Sequence, residues 1–354
     1  MERLNTLLLH NTDEDIAIAG DILRNGGLVA VPTETVYGLA ANALDGKAVA
    51  KIFKAKGRPQ DNPLIVHISE LSQWNALVRE IPPQAMALAE AYWPGPLTII
   101  LPKSDIIPDE VSAGLNTVAV RFPSMRTTRK IIDAAGVPLA APSANLSGSP
   151  SPTCAKHTMN DMNGRIDAVL DGGDCNFGVE STVVTLAGAV PRLLRPGAVT
   201  PDDLREVLGE IEIDDAVMGQ LKEGEEAASP GMKYKHYSPK AEVTIIKSDL
   251  EAFCKMAESF VDKETVFALC FDGEEDRIPL KCVTYGREDD PLTQSHRLFT
   301  ALRELDEQGA RVVYARCPST DGVGMAVYNR LLRAAGFGVL EIGIDDGKLY
   351  VKID

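Results

Sequence analysis

LVAVPTETVYGLA, residues Leu28–Ala40, decides how the N-terminal part of the chain is read. Leu28–Pro32 is a short apolar run rich in valine, preceded by Gly26 and Gly27 and closed by proline, which predicts a buried strand. The run gives way at once to two threonines, a glutamate and a tyrosine before Gly38. Polar chemistry is thus placed at a strand end, where small ligands are commonly held. Upstream, Asp13–Asn25 repeats Ile16, Ala17, Ala19, Ile22 and Leu23 at helical spacing. Downstream, Lys47–Lys56 predicts a short helix with Val49, Ile52 and Phe53 inward, and it runs into KAKGRP, Lys54–Pro59.

Further strands are expected at Pro63–Ile68, Pro96–Leu101, Asn116–Phe122, Pro138–Ser143, Ala168–Gly173, Ser181–Leu186 and Pro191–Gly197, with a helix at Ile81–Ala91. Strands and helices alternate without strict βαβ regularity, so an α/β domain with a twisted mixed sheet is expected. The stretch Glu210–Glu226 then carries seven acidic residues and one lysine and has no core pattern. It reads as a solvated linker, and SPGMKYKHYSPKAE, Ser229–Glu242, follows as a cationic, aromatic segment. From Ala241 a cleaner alternation predicts strands at Ala241–Lys247, Thr265–Phe271, Lys281–Gly286, Arg311–Cys317 and Gly338–Gly343, with helices at Leu250–Phe260, Pro291–Gln308 and Gly324–Ala335. The domains expected are 1–208, a linker with a lid segment over 209–240, and a smaller Rossmann-like α/β domain over 241–354.

The chain has 354 residues and a net charge of -15, which disfavours a protein that coats nucleic acid by charge alone. The first residues lack the apolar run of a signal peptide, and no stretch of apolar residues is long enough to span a membrane. The six cysteines are dispersed and form no CxxC pair, which suits reduced thiols and a cytoplasmic setting. With no HExxH or other ligand spacing among five histidines, no metal held by protein side chains is expected. No GxxxxGK[ST] loop and no GxSxG elbow is present.

Against that acidic background the cations of KAKGRP stand out. Lys56 and Arg58 would diverge on a regular helix, but Gly57 and Pro59 end it, and an extended backbone lets both reach one phosphate. The same cations also fit a solvated helix terminus, where positive charge is favoured. SANLSGSP, Ser143–Pro150, offers Ser143, Asn145, Ser147 and Ser149 around a glycine, and reads equally as an anion-holding loop or a polar turn. Arg121 and Arg195 end apolar strands, a position that directs charge at a ligand or a buried partner. His67, inside PLIVHI, fits a core histidine as well as a ligand. DGVGMAVYNR, Asp321–Arg330, fits a helix start as well as a nucleotide loop.

PTETVYGLA, KAKGRP with DNPLIVHI, WPGPLT (Trp93–Thr98), VAVRFP (Val118–Pro123), APSANLSG (Ala141–Gly148), STVV (Ser181–Val184), LRPG (Leu194–Gly197) and PGMKYKHYSP (Pro230–Pro239) together resemble the Sua5/YrdC/YwlC family in its long Sua5 form. The resemblance spans essentially the whole chain. It implies a YrdC-like domain with a concave basic cavity, a Sua5 domain, and a nucleotidyltransferase that makes L-threonylcarbamoyladenylate and pyrophosphate from L-threonine, bicarbonate and ATP. The product serves modification of adenosine 37 of tRNA by a separate transferase, with transient contact to tRNA or to that machinery. Mg²⁺ would accompany ATP.

By the same resemblance, Thr33, Tyr37, His67, Arg121 and Ser181 would hold L-threonine. Lys56, Arg58, Thr117, Ser143, Asn145, Ser147, Ser149, Arg195, His236 and Ser238 would hold the nucleotide, with Lys56 and Arg58 catalytic. His236 and Ser238 would come from the lid-like linker. A rival reading is an RNA-binding YrdC-like module without adenylate synthesis. A second rival is a carbamoyl-phosphate enzyme, whose zinc-finger and transferase segments are absent here.

Overall fold

The apolar runs of the N-terminal part pair into a mixed sheet, and those of the C-terminal part into a nearly all-parallel one. The structure is a computed structural model that describes residues 4–219, 237–260, 264–346 and 348–352. The described chain divides into two units. The first runs to Ser147 and resumes at Ser151; the second takes in Gly148–Pro150 and the chain from Tyr237 on. Among the described residues no helix is long and apolar enough to cross a membrane.

In the first unit the strands are β1 (Leu7–His10), β2 (Val29–Val31), β3 (Gly38–Asn42), β4 (Ile65–His67), β5 (Leu97–Pro102), β6 (Thr117–Arg121), β7 (Leu139–Ala140), β8 (Ala168–Asp171), β9 (Thr182–Thr185), β10 (Arg192–Arg195) and β11 (Glu212–Ile213). They form one sheet in the order β1-β8-β2-β3-β7-β4-β6-β5-β9-β10-β11. Strand β4 runs parallel to β6, β5 antiparallel to β6 and parallel to β9, and β10 antiparallel to β9, so the expected mixed sheet is present.

Alternation along these strands separates two faces. Val66, Ile99, Val120, Val184 and Leu193 enter the larger core, which also takes Ile52, Phe53, Trp74 and Leu88 from helices. Ile65, Ile100, Ala119, Val183 and Leu194 form a small cluster on the other face. A third cluster joins the helices Asp13–Arg24 and Arg126–Ala135 through Ile16, Ala19, Leu23, Ile131 and Ile132. Gly20 permits their close approach, because a Cβ there would overlap Ala134.

The helix Gly46–Lys56 carries the first cationic cassette, and both of its ends are specified locally. The Asp45 carboxylate accepts from Lys47 N, and Gly57, at φ 67°, terminates the helix in the left-handed region. Arg58 N then donates back to Phe53 O at 3.1 Å, which turns the chain sharply.

The second unit has β12 (Glu242–Lys247), β13 (Val266–Cys270), β14 (Lys281–Thr284), β15 (Val312–Arg316), β16 (Val339–Asp345) and β17 (Lys348–Lys352). The order is β14-β13-β15-β12-β16-β17, parallel throughout except for β17, with the helices Leu250–Ala257, Pro291–Glu307 and Gly322–Ala334 as crossovers. This is the Rossmann-like layout expected.

The linker begins later than the sequence suggested. Glu212–Ile213 pairs in parallel with β10, and Ala216 and Val217 are buried, so the first unit extends through residues expected to be solvated. Glu212 is exposed on this edge strand and pairs with Arg192 at 2.9 Å, while Asp214 caps the short 3₁₀ turn Asp215–Val217.

Candidate active site

One row of the first sheet gathers the strand-end cations. His67 lies opposite Arg121 on the parallel β4–β6 pair, Arg121 opposite Thr98, Thr98 opposite Val183, and Val183 opposite Arg195. The antiparallel turns bring the carboxyl ends of β4, β6 and β10 and the amino ends of β5 and β9 to the same edge. Residues in register share a face. His67, Thr98 and Arg121 therefore stand on the face of Ile65, Ile100 and Ala119, beyond the small apolar cluster. Separate motifs in the sequence become neighbours through this register alone.

At one end of the row, Arg121 is buried and its Nη2 donates to Glu34 Oε1 at 2.6 Å. Arg121 Nη1 donates to Thr35 Oγ1 at 2.8 Å, and Nε to Gly95 O at 3.3 Å. Thr33 belongs to the same group: its hydroxyl donates to Val36 O at 2.6 Å and lies 2.9 Å from Thr35 Oγ1. His67 is buried with Nδ1 3.2 Å from Ile65 O. Burial, helped by the charge of Arg121, pushes its imidazole down to about 3, so the ring is neutral at physiological pH. Farther along the row, Arg195 Nε donates to Ser181 O at 3.0 Å and Nη2 to Ser181 Oγ at 3.1 Å. The Ser181 hydroxyl is also 2.8 Å from Thr98 Oγ1.

Lys56 departs from the expectation of a phosphate ligand. Its ammonium is buried, and Nζ donates to Ser143 O, to Asn145 O at 2.7 Å and to Asn145 Oδ1 at 3.3 Å. Three oxygens of the SANLSG loop account for its three donors. Burial, then the neighbouring Arg58 charge, hold its pKa well below the usual lysine range. Lys56 therefore organises the loop in this arrangement, and its donors are not offered to a phosphate. Ser147 N donates to Lys56 O at 3.0 Å, which ties the loop to the helix end from the other side. Arg58 is half-buried, stacked 5.3 Å from the Phe53 ring centroid, with Nη2 3.4 Å from Asn62 O. Of the two cationic residues, Arg58 is the one that is not fully buried.

Several other expected residues are not brought to the row. Thr117 opens the strand that Arg121 closes and pairs with Pro102, about 13 Å of strand away. Tyr37 is fully buried, and its hydroxyl donates to Gly173 O at 2.8 Å and accepts from Gly172 N at 3.2 Å, so it braces the turn after β8. Ser143 Oγ donates to Asn145 Oδ1 at 2.5 Å. Ser147 is exposed, and Ser149 falls within the second unit. Ser238 also belongs to that unit, and its hydroxyl is taken by Ala334 O at 2.7 Å, which runs against a nucleotide role. His236 and the preceding Lys233–Lys235 lie outside the described residues.

The structure adds residues that pattern reading passed over. Glu34 and Thr35 grip Arg121, and Thr98 links to Ser181. Asn62 is buried with no partner for Oδ1. The Glu180 carboxylate accepts from Ser151 Oγ, and both residues are buried. Glu34 and Asn62 stand inside quoted motifs, so a signal was present; a carboxylate in a polar turn simply gives no sign of being buried.

Buried arginines, hydroxyls and an ion pair at one end of the strands of a mixed α/β sheet have the chemistry to receive the anionic groups of a small molecule. Two family models match the chain. The Sua5–YciO–YrdC model, described as telomere recombination, covers residues 21–197, and the model of the threonylcarbamoyl-AMP synthase C-terminal domain covers 199–336. The threonylcarbamoyl-AMP synthase of Pyrococcus abyssi is 43% identical over 92% of this chain and 96% of its own length. That of Bacillus subtilis is 42% identical over 94% and 96%. The crystal structure of P. abyssi Sua5 complexed with L-threonine superposes with a TM-score of 0.90 at 42% identity, covering 96% of this chain and 99% of that one. The chain belongs to the Sua5-type threonylcarbamoyl-AMP synthase family.

Proposed function

We propose that this chain condenses L-threonine, bicarbonate and ATP into L-threonylcarbamoyladenylate, releasing pyrophosphate and water, for threonylcarbamoylation of tRNA adenosine 37 by a separate transferase. The observation that carries this reading is the single row that sets buried Arg121 and Arg195 on one sheet edge with His67, Thr98 and Ser181. Groups this buried, with Arg121 3% and Arg195 7% exposed, suit a small ligand rather than the phosphate backbone of an RNA.

In this reading Thr33, His67, Arg121 and Ser181 hold L-threonine, with Arg121 on its carboxylate. A neutral His67 accepts or donates a hydrogen bond without adding charge beside Arg121. The threonine amine, in its neutral form, attacks the carbon of bicarbonate and gives N-carboxy-threonine with loss of water. A carboxylate oxygen of that intermediate attacks the α-phosphorus of ATP, and the bond to pyrophosphate breaks. Two anions meet in this step, so mutual repulsion is the main barrier. Arg195 and Arg58 offset it by presenting fixed positive charge where negative charge gathers. Lys56 acts one layer behind, holding Ser143 and Asn145 as the nucleotide wall. Mg²⁺ enters as the counter-ion of the triphosphate, with no residue of the chain assigned to it.

Pyrophosphate release from ATP should require both L-threonine and bicarbonate. Release that continues with either one omitted would overturn the reading.

A further inference from the structure

We propose that Glu34 is a positioning residue for the amino-acid end of the site, holding the Arg121 guanidinium in the orientation that receives a ligand carboxylate. The two side chains are each 4% exposed and meet at 2.6 Å. A guanidinium buried without a counter-charge is costly, and a strand position alone does not fix the plane of a long side chain. Consecutive residues of the turn after β2 do so here. Glu34 takes Nη2 and Thr35 takes Nη1, while Gly95 O takes Nε.

Each guanidinium nitrogen thus has one partner within the chain. Of its five N–H groups, one on each terminal nitrogen remains for a ligand. A pair of that kind suits the two oxygens of a carboxylate. Glu34 is itself anchored, since its Oε2 accepts from Met125 N at 3.4 Å and its backbone O from Phe177 N at 2.9 Å. Burial opposes the Glu34 charge, but the adjacent Arg121 more than offsets this and holds the carboxyl below the usual glutamate range. Glu34 is a standing anion, suited to orienting a cation and poorly suited to taking a proton from an amine.

The inference rests on reading Arg121 as the partner of the threonine carboxylate, and the test separates the two claims. In the full-length chain, kcat and KM are measured for L-threonine, for L-threoninamide, which lacks the carboxylate, and for ATP. Arg121→Met should abolish the preference for L-threonine over the amide. Glu34→Gln should raise the L-threonine KM about 10–100-fold, as expected for a displaced clamp, and lower the same preference. Its ATP KM should stay within about twofold of wild type, as expected for a change confined to the amino-acid end. In the Arg121→Met background Glu34→Gln should cause no further loss of preference. If Arg121→Met keeps the preference, the reading of Arg121 fails, and this inference with it. If Arg121→Met loses the preference but Glu34→Gln keeps it, or if Glu34→Gln raises both KM values alike, the inference alone is overturned. Should Glu34→Gln not fold, Glu34→Asp carries the same comparison, because it keeps the charge and withdraws it by one methylene.

Discussion

Lys56 and Arg58 look interchangeable as letters, and burial assigns them different work. Lys56 donates to three oxygens of the 143–145 loop, whereas Arg58 lies over Phe53 at the mouth of the helix-ending turn. Their alanine variants should therefore separate. Lys56→Ala leaves buried carbonyls without a donor and should cost about 1–3 kcal/mol of stability along with activity. Arg58→Ala removes a half-buried cation and should lower activity by about a hundredfold, as for loss of one transition-state donor, with little change in Tm. Thermal melts paired with pyrophosphate-release assays check both. Equal melting losses in the two variants would contradict the division. Tyr37 and Ser238 make the same point, since each hydroxyl is already bonded within its own unit.

At the scale of elements, the row depends on turns that bring strand ends to one edge. Gly197, in the turn after β10, is closely packed: a Cβ there would fall inside contact distance of Thr182 N and Oγ1. That neighbour is backbone of the strand that follows Ser181 and cannot swing aside. Thr182 Oγ1 also donates to Val199 O at 2.6 Å, so the turn is held from both sides. Gly197→Ala should push Arg195 away from Ser181 and reduce kcat/KM by about a hundredfold, the scale of a misplacement near 1 Å. The far-ultraviolet circular dichroism should be unchanged, because the sheet core lies elsewhere. Full activity in this variant would show that the turn tolerates the displacement and that the row does not depend on it.

At the scale of the whole molecule, the first unit owns its sheet, its clusters of buried apolar residues and the row of cations. A chain ending after Gly219 keeps all of these, including the edge strand Glu212–Ile213 that an earlier cut would remove. It should fold and bind L-threonine, as checked by calorimetry. It should also lose most adenylate formation, because the cationic residues Lys233, Lys235 and His236 lie beyond the cut. Unchanged pyrophosphate release in the truncated chain would remove those residues from the mechanism. The sequence by itself determined the alternation of strands and helices, the two-unit division and the family, because periodicity and ordered motifs are local properties of the chain. It also supplied Arg121, Arg195 and His67 as candidates, since a charged or titratable residue in an apolar run is visible in one dimension, and Ser181 through the family resemblance. Only the tertiary structure decided which of these share a face, that Glu34 pairs with Arg121, and that Lys56 is spent on a loop. Register, burial and donor geometry in the row and at Lys56 arise from contacts between residues 12 to 89 positions apart, and no local pattern encodes them.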